Sequence, residues 1–309
     1  MIPAGVDQSL ALVSNNLVYS AVLVYALAAL GFAAELAVDR RRAGDAAAEP
    51  APADERRGLR VELFGRVAVA LTALAFALHA AGVVARGLSA ERAPWGNMYE
   101  FSVAGSLAVT GVFLALLLRR EVRWLGLYVT VAVLATLTVA LTVLYTDSAD
   151  LLPALKSYWL AIHVGGAVVS AGLFSVGALA SGLYLVRAAR DAAAERAGRA
   201  PARRGPSAEA LDRVAYQVHT LAFPVWTFTV ICGAIWAHHA WGRYWGWDPK
   251  EIWAFITWVV YAAYLHARVT AGWKGRAAAW VALLGYATFL VDYYAVNLFG
   301  VGLHSYSGL

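Results

Sequence analysis

Eight apolar runs, at about 12–37, 62–87, 98–118, 124–146, 159–186, 214–237, 251–271 and 277–299, constrain this chain more than anything else in it. Each is long enough, as a helix, to cross the ~30 Å hydrocarbon core of a bilayer. Hydrocarbon offers no partner to a backbone N–H or C=O, so a run of this kind must satisfy its own hydrogen bonds as a helix. The predicted fold is therefore all-α, a polytopic membrane protein with about eight transmembrane helices. Composition excludes the alternative, because 61% hydrophobic and 15% charged residues cannot clothe a soluble globule.

Charge sorts the connections. Of the 25 basic residues, 19 fall in alternate loops. Arg40, Arg41, Arg42, Arg56, Arg57 and Arg60 follow the first run, and Arg119, Arg120 and Arg123 follow the third. Seven arginines from Arg187 to Arg213 follow the fifth, and Arg268, Lys274 and Arg276 follow the seventh. Basic loops stay cytoplasmic, which puts both termini, the loops 88–97 and 147–158 and a tryptophan-rich segment at 238–253 on the extracytoplasmic side. The formal charge of +5 is then a consequence of topology, and no nucleic-acid partner is expected. No basic stretch precedes the first run, so no cleaved signal is expected. The segments 39–60 and 188–212, rich in Ala, Arg, Glu, Pro and Gly, read as cytoplasmic linkers within a single domain spanning 1–309. Cys232 is the one cysteine and lies inside the sixth run, which excludes an internal disulfide, a CXXC pair and a CXXCH haem-attachment motif.

The segment WGRYWGWDPKEIW places Trp241, Trp245, Trp247 and Trp253 around one carboxylate at a membrane edge. So much aromatic surface suits a large flat ligand, and Gly242 and Gly246 would let backbone approach its plane. Asp248 stands where the next helix should begin, with Pro249 at its first position and Glu251 at its third, the arrangement of a capping box. These three residues read as structural. Asp248 would repel an anionic ligand group, whereas Arg243 and Lys250 could pair with one.

Histidine in a membrane is costly unless it meets a partner, a cavity or a metal. His163 opens the fifth run and His304 follows the eighth, both at the level of the tryptophans. Haem iron has four positions filled by the porphyrin, so two neutral imidazoles could complete it from opposite faces beside an aromatic shelf. The other reading is that each histidine simply sits at the polar interface. His266 lies near the cytoplasmic end of the seventh run, where a second haem position would fit. His219 at similar depth is either its partner or a hydrogen-bonded residue inside the bundle. His79, on an apolar stretch, reads as a packed histidine bonded to a backbone carbonyl, and the adjacent His238 and His239 point ~100° apart on a helix and cannot form one ligand pair.

Together WGRYWGWDPKEIW, LKSYWLAIHV, ITWVVYAAYLHAR, the PWGNMYE loop from Pro94 to Glu100 and NLFGVGLHSY resemble, in order and over nearly the whole chain, the CcsA (ResC) family of WWD-domain haem-handling membrane proteins. Gly96 and Phe101 stand where that family usually has serines, and His238–His239 replaces a commoner polar pair. The resemblance implies that His163 and His304 ligate haem beneath the tryptophan segment and that His266 is a transmembrane ligand. It implies a second transmembrane ligand from the membrane partner Ccs1 (ResB). It further implies delivery of haem b across the bacterial cytoplasmic membrane for thioether attachment to CXXCH of apocytochrome c, whose cysteines a thioredoxin-like protein keeps reduced. That is a cytochrome c synthase (haem lyase) role performed by positioning. Two other readings stay open on the residues: a haem exporter loading a chaperone, as in the related CcmC proteins, and a transmembrane haem electron carrier.

Overall fold

The computed structural model describes residues 6–45, 52–149, 156–200, 205–300 and 302–304. Regular structure among them is helical: α1 (Gln8–Asp45), α2 (Pro52–Ser89), α3 (Met98–Leu117), α4 (Gly126–Thr142), α5 (Tyr158–Arg196), α6 (Ala208–Trp241), α7 (Pro249–Val269) and α8 (Arg276–Leu290). α8 runs on through a π-helical turn, Val291–Ala295, into a last turn ending at Phe299. Eight helices are long and apolar enough to cross a membrane, as the apolar runs predict. The helices outlast the runs at one end of the bundle. α1 continues to Asp45, α2 starts at Pro52, α5 reaches Arg196 and α6 starts at Ala208, so much of what composition assigns to linkers is helix. Alanine, arginine and glutamate are strong helix formers, and in α5 Arg187 Nε meets Asp191 Oδ2 one turn on, at 2.8 Å.

α5 is the central element, packed against α3, α6 and α8, while the α1–α2 hairpin lies outside against α3 and α4. Small residues set the closest approach. A Cβ on Gly172 of α5 would lie 2.7 Å from the Ala108 carbonyl carbon of α3, so the two backbones touch only because position 172 has none. The core between them is aromatic, with Phe174 stacked on Tyr261 at 4.1 Å and 8°.

The end of the bundle that carries the tryptophans is fixed by a buried carboxylate. Glu100, in the first turn of α3 and 2% exposed, accepts from Arg86 Nε at 3.0 Å, Arg92 Nη1 at 2.6 Å, Arg92 Nη2 at 2.9 Å and the Gly96 amide at 2.8 Å. Arg86 and Arg92 also donate to the Thr146 and Ala149 carbonyls at 2.5 and 2.9 Å. Asn97 caps α3 by accepting from the Glu100 amide. The PWGNMYE loop is thereby tied to the end of α2 and to the chain leaving α4. Removing Glu100 strands two buried guanidinium groups, which costs far more than a surface ion pair is worth. Glu100→Ala should lose about 3–5 kcal/mol, measured as thermal unfolding of the full chain in detergent, with Glu100→Gln intermediate; an unchanged midpoint for the alanine variant would refute this account of the loop.

Candidate functional site

His163, in the second turn of α5, faces α6. Its Nδ1 lies 2.8 Å from the Thr229 carbonyl. A carbonyl only accepts, so Nδ1 carries the proton and Nε2 keeps its lone pair. Space for the ring comes from Gly233, where a Cβ would stand 2.7 Å from His163 Cε1. The ring stacks on Trp236 at 6.1 Å and 8°, and Trp236 is 2% exposed.

His304 is held from α7. Asp248 Oδ1 accepts from His304 Nδ1 at 2.9 Å and from the Lys250 amide at 3.1 Å, and Oδ2 accepts from the Leu303 amide at 2.7 Å. Glu251 completes the capping box, accepting from the Asp248 amide at 3.0 Å and the Gly246 amide at 2.7 Å. The cap predicted for Asp248, Pro249 and Glu251 is present, and the same carboxylate also orients an imidazole, which its place in the sequence does not reveal. Burial opposes ionisation of Asp248, but the Leu303 and Lys250 amides and His304 outweigh it and hold the carboxyl below its ordinary value. Burial of His304 outweighs the pull of that carboxylate and lowers the imidazole's pKa. A lowered pKa favours the neutral form, so His304 Nε2, like His163 Nε2, is a bare nitrogen with its partner nitrogen engaged. Ligating histidines in metal sites have this arrangement.

His163 and His304 line one cavity together with Trp95, Trp236, Trp245 and Lys250. The other predicted residues divide. Trp241 packs edge-on against His304 at 4.7 Å and against Trp236 at 4.8 Å. Trp247 is 65% exposed with φ 59°, a left-handed conformation unusual for a tryptophan, and touches Trp245 at 5.9 Å. Trp253, half-buried on α7, does not line the cavity. Arg243 is turned onto Glu251 Oε1 at 3.2 Å and lies 5.8 Å over the Trp241 ring. Gly242 ends α6 as a left-handed cap at φ 71°. The segment is therefore a frame with one tryptophan inside rather than a shelf of four.

The remaining histidines are not brought to this site. His266 is exposed on α7. His219 is buried against Gly177, Tyr261 and Tyr264 and points inward, so the two do not pair. His79 Nδ1 meets the Tyr25 hydroxyl at 3.4 Å. His238 and His239 are exposed, His239 bonding the Ile235 carbonyl at 2.9 Å. No cluster of three or more His, Cys, Asp or Glu able to hold a metal ion occurs among the described residues.

The sequence reading overlooks Trp236 and Asp292. Trp226, Val230, Gly233 and Ala237 recur at helical spacing with Trp236 and line the cavity as one face of α6. Asp292 is a lone acid in an apolar helix, itself a pointer to function. The indole N–H groups of Trp95, Trp236 and Trp245 and the Oδ1 of Asp292 are buried without a hydrogen-bond partner. Polar atoms orphaned around one cavity fit a ligand that carries polar groups as well as a flat apolar body.

The family described as "Cytochrome C assembly protein" matches residues 95–304. The chain is 37% identical over 268 residues to "Cytochrome c biogenesis protein CcsA" of Microcystis aeruginosa, covering 72% of this chain and 81% of that one. The protein of the same name from Gloeobacter violaceus is 31% identical over 300 residues, covering 81% and 89%. That from Synechocystis sp. is 34% identical over 275 residues, covering 72% and 82%.

The Asp248 tether has a direct readout. In Asp248→Ala the Leu303 amide loses a charged acceptor, and its hydrogen exchange should quicken by roughly 10- to 100-fold. Amides in the middle of α5 should be unchanged, and equal exchange at Leu303 in both proteins would contradict the tether.

Proposed function

The chain belongs to the cytochrome c assembly protein family and is a multi-pass membrane protein of cytochrome c biogenesis, and from that premise we propose that it holds haem b between His163 and His304 and presents it to apocytochrome c. The observation that carries the reading is the shared state of the two imidazoles. Both line one cavity and both donate from Nδ1, which leaves each Nε2 as a lone-pair nitrogen of the kind that ligates a metal. The loop-charge asymmetry supports an extracytoplasmic location for this cavity in a bacterial cytoplasmic membrane.

The chemistry is addition of two substrate thiols to the haem vinyl groups. In each addition an S–H bond and one π bond are replaced by a C–S and a C–H bond, without net oxidation. The thiols must arrive reduced, which calls for a thioredoxin-like reductant, and the histidine of the CXXCH motif must find an axial position to take. The chain's contribution is positioning. His163 from α5 and His304 from the chain that follows α8 would hold the iron. Asp248 sets the tautomer and direction of His304, and Trp245 and Trp236 flank the space. His266, exposed on α7, is where haem from the inner leaflet would bind jointly with Ccs1 (ResB), which would supply the second axial ligand.

His163→Ala and His304→Ala should each strip haem from this site and stop cytochrome c maturation, with added imidazole restoring part of it. Normal maturation in either variant would falsify the proposal. Asp248→Asn, which keeps a cap but weakens the hold on His304, should reduce haem affinity at this site by about 10- to 100-fold, read from the absorption spectrum of the purified full chain.

A further inference from the structure

Lys250 and Asp292 form a charged pair within the cavity that neither the capping box nor the axial ligands use. Lys250 lies in the first turn of α7, and its ammonium reaches across to donate to the Asp292 main-chain carbonyl at 2.7 Å. That carbonyl lies in the π-helical turn Val291–Ala295. Such turns widen a helix locally and are frequent at functional sites. The Asp292 carboxylate is 3.9 Å from Lys250 Nζ, beyond hydrogen-bond distance. Asp292 is only 4% exposed, and its Oδ1 has no hydrogen-bond partner. The two charges are neighbours, and the hydrogen bond that would join them is not made.

An ammonium has three donors, and among the described residues Lys250 Nζ makes one hydrogen bond. Around the same cavity stand the three unpaired indole N–H groups of Trp95, Trp236 and Trp245. With the two imidazole Nε2 atoms given to iron, the donors left over, two on Lys250 and three indole N–H groups, outnumber the one orphaned acceptor, Asp292 Oδ1, a balance that a ligand carboxylate fills. Arg243, the other cation near the cavity, is committed to Glu251 and to the Trp241 face. We infer that the cavity recognises a carboxylate of its ligand: Lys250, held in place by the π-turn carbonyl, receives one haem propionate, with the indole N–H groups as neutral donors around it and Asp292 as the like charge that keeps the grip reversible. The inference rests on the proposed haem site and adds what that site reads besides iron and a flat ring.

The test compares haem with haem dimethyl ester, which differ in their carboxylates, on the purified full chain in lipid nanodiscs. Binding is followed by the absorption of the His163- and His304-dependent species. Wild type should bind haem at least ~10-fold more tightly than the ester. Lys250→Met should lose that preference, and Asp292→Asn should enlarge it by removing the repulsion. Because Lys250→Met leaves a lone buried carboxylate, the double variant Lys250→Met/Asp292→Asn serves as a charge-balanced control and should bind both ligands alike. Arg243→Gln should keep the wild-type ratio. Equal binding of haem and ester by wild type, or a preference that survives the double variant, overturns the inference while leaving the axial ligands standing. Absence of any His163- and His304-dependent spectrum in wild type overturns the haem site itself, and this inference with it.

Discussion

The geometry at the tryptophan end depends on one carboxylate. Asp248 accepts from a helix-start amide, from the Leu303 amide and from His304. Oδ1 is thus used in two directions, along the chain into α7 and across to the segment that follows α8, and Oδ2 across alone. The left-handed Trp247 just before it turns the loop so that Asp248 can reach both. Such backbone persists only where its surroundings over-determine it, and here Glu251 does so by accepting from the amides of Gly246 and Asp248. The WWD segment is therefore first a device for joining the start of α7 to the chain that follows α8, and through that a candidate ligand site.

Buried charge at this end of the bundle falls into two kinds. Glu100 is saturated: two guanidinium groups and an amide fill its lone pairs, and the result is a rigid clasp among α2, α3 and the chain after α4. Asp292 is not, since its Oδ1 is unpaired and Lys250 donates to its main-chain carbonyl instead. A saturated network rigidifies, whereas an unsatisfied one holds free energy that a ligand can release. The same chain uses the first beside the cavity and the second within it.

Much of this was legible in residue order. Eight spans follow from hydrocarbon thickness alone, and the capping box from Asp248, Pro249 and Glu251 at the cap, first and third positions of a helix start. His163 and His304 could be placed at one level because topology orders depth. The division of labour among the tryptophans could not be read, because which indole enters a cavity depends on how α6 is rotated against α5. That rotation is set by contacts far apart in sequence, such as Gly233 with His163. For the same reason Trp236, outside the motif by five residues, carries no signal of its own, and composition extends the linkers over residues that are helical, because low hydropathy marks the end of a membrane span but not the end of a helix.

The two proposed axial ligands are held differently, and the proposed function gives that difference a meaning. His163 is built into the central helix, bonded to the α6 backbone and stacked on a buried indole. Moving it would break the α5–α6 contacts at Thr229 and Trp236. His304 lies beyond the last turn of α8, hydrogen-bonded with Leu303 to Asp248 and packed edge-on against Trp236 and Trp241. A segment beyond a helix end opens more readily than the middle of a packed helix. A cargo that leaves attached to a substrate histidine must exchange one axial bond while the other keeps the ring in register. On the proposed function His304, carried on the chain after α8, would be the side that yields and His163, fixed within α5, the side that stays, so that hold on one face and release on the other would not compete.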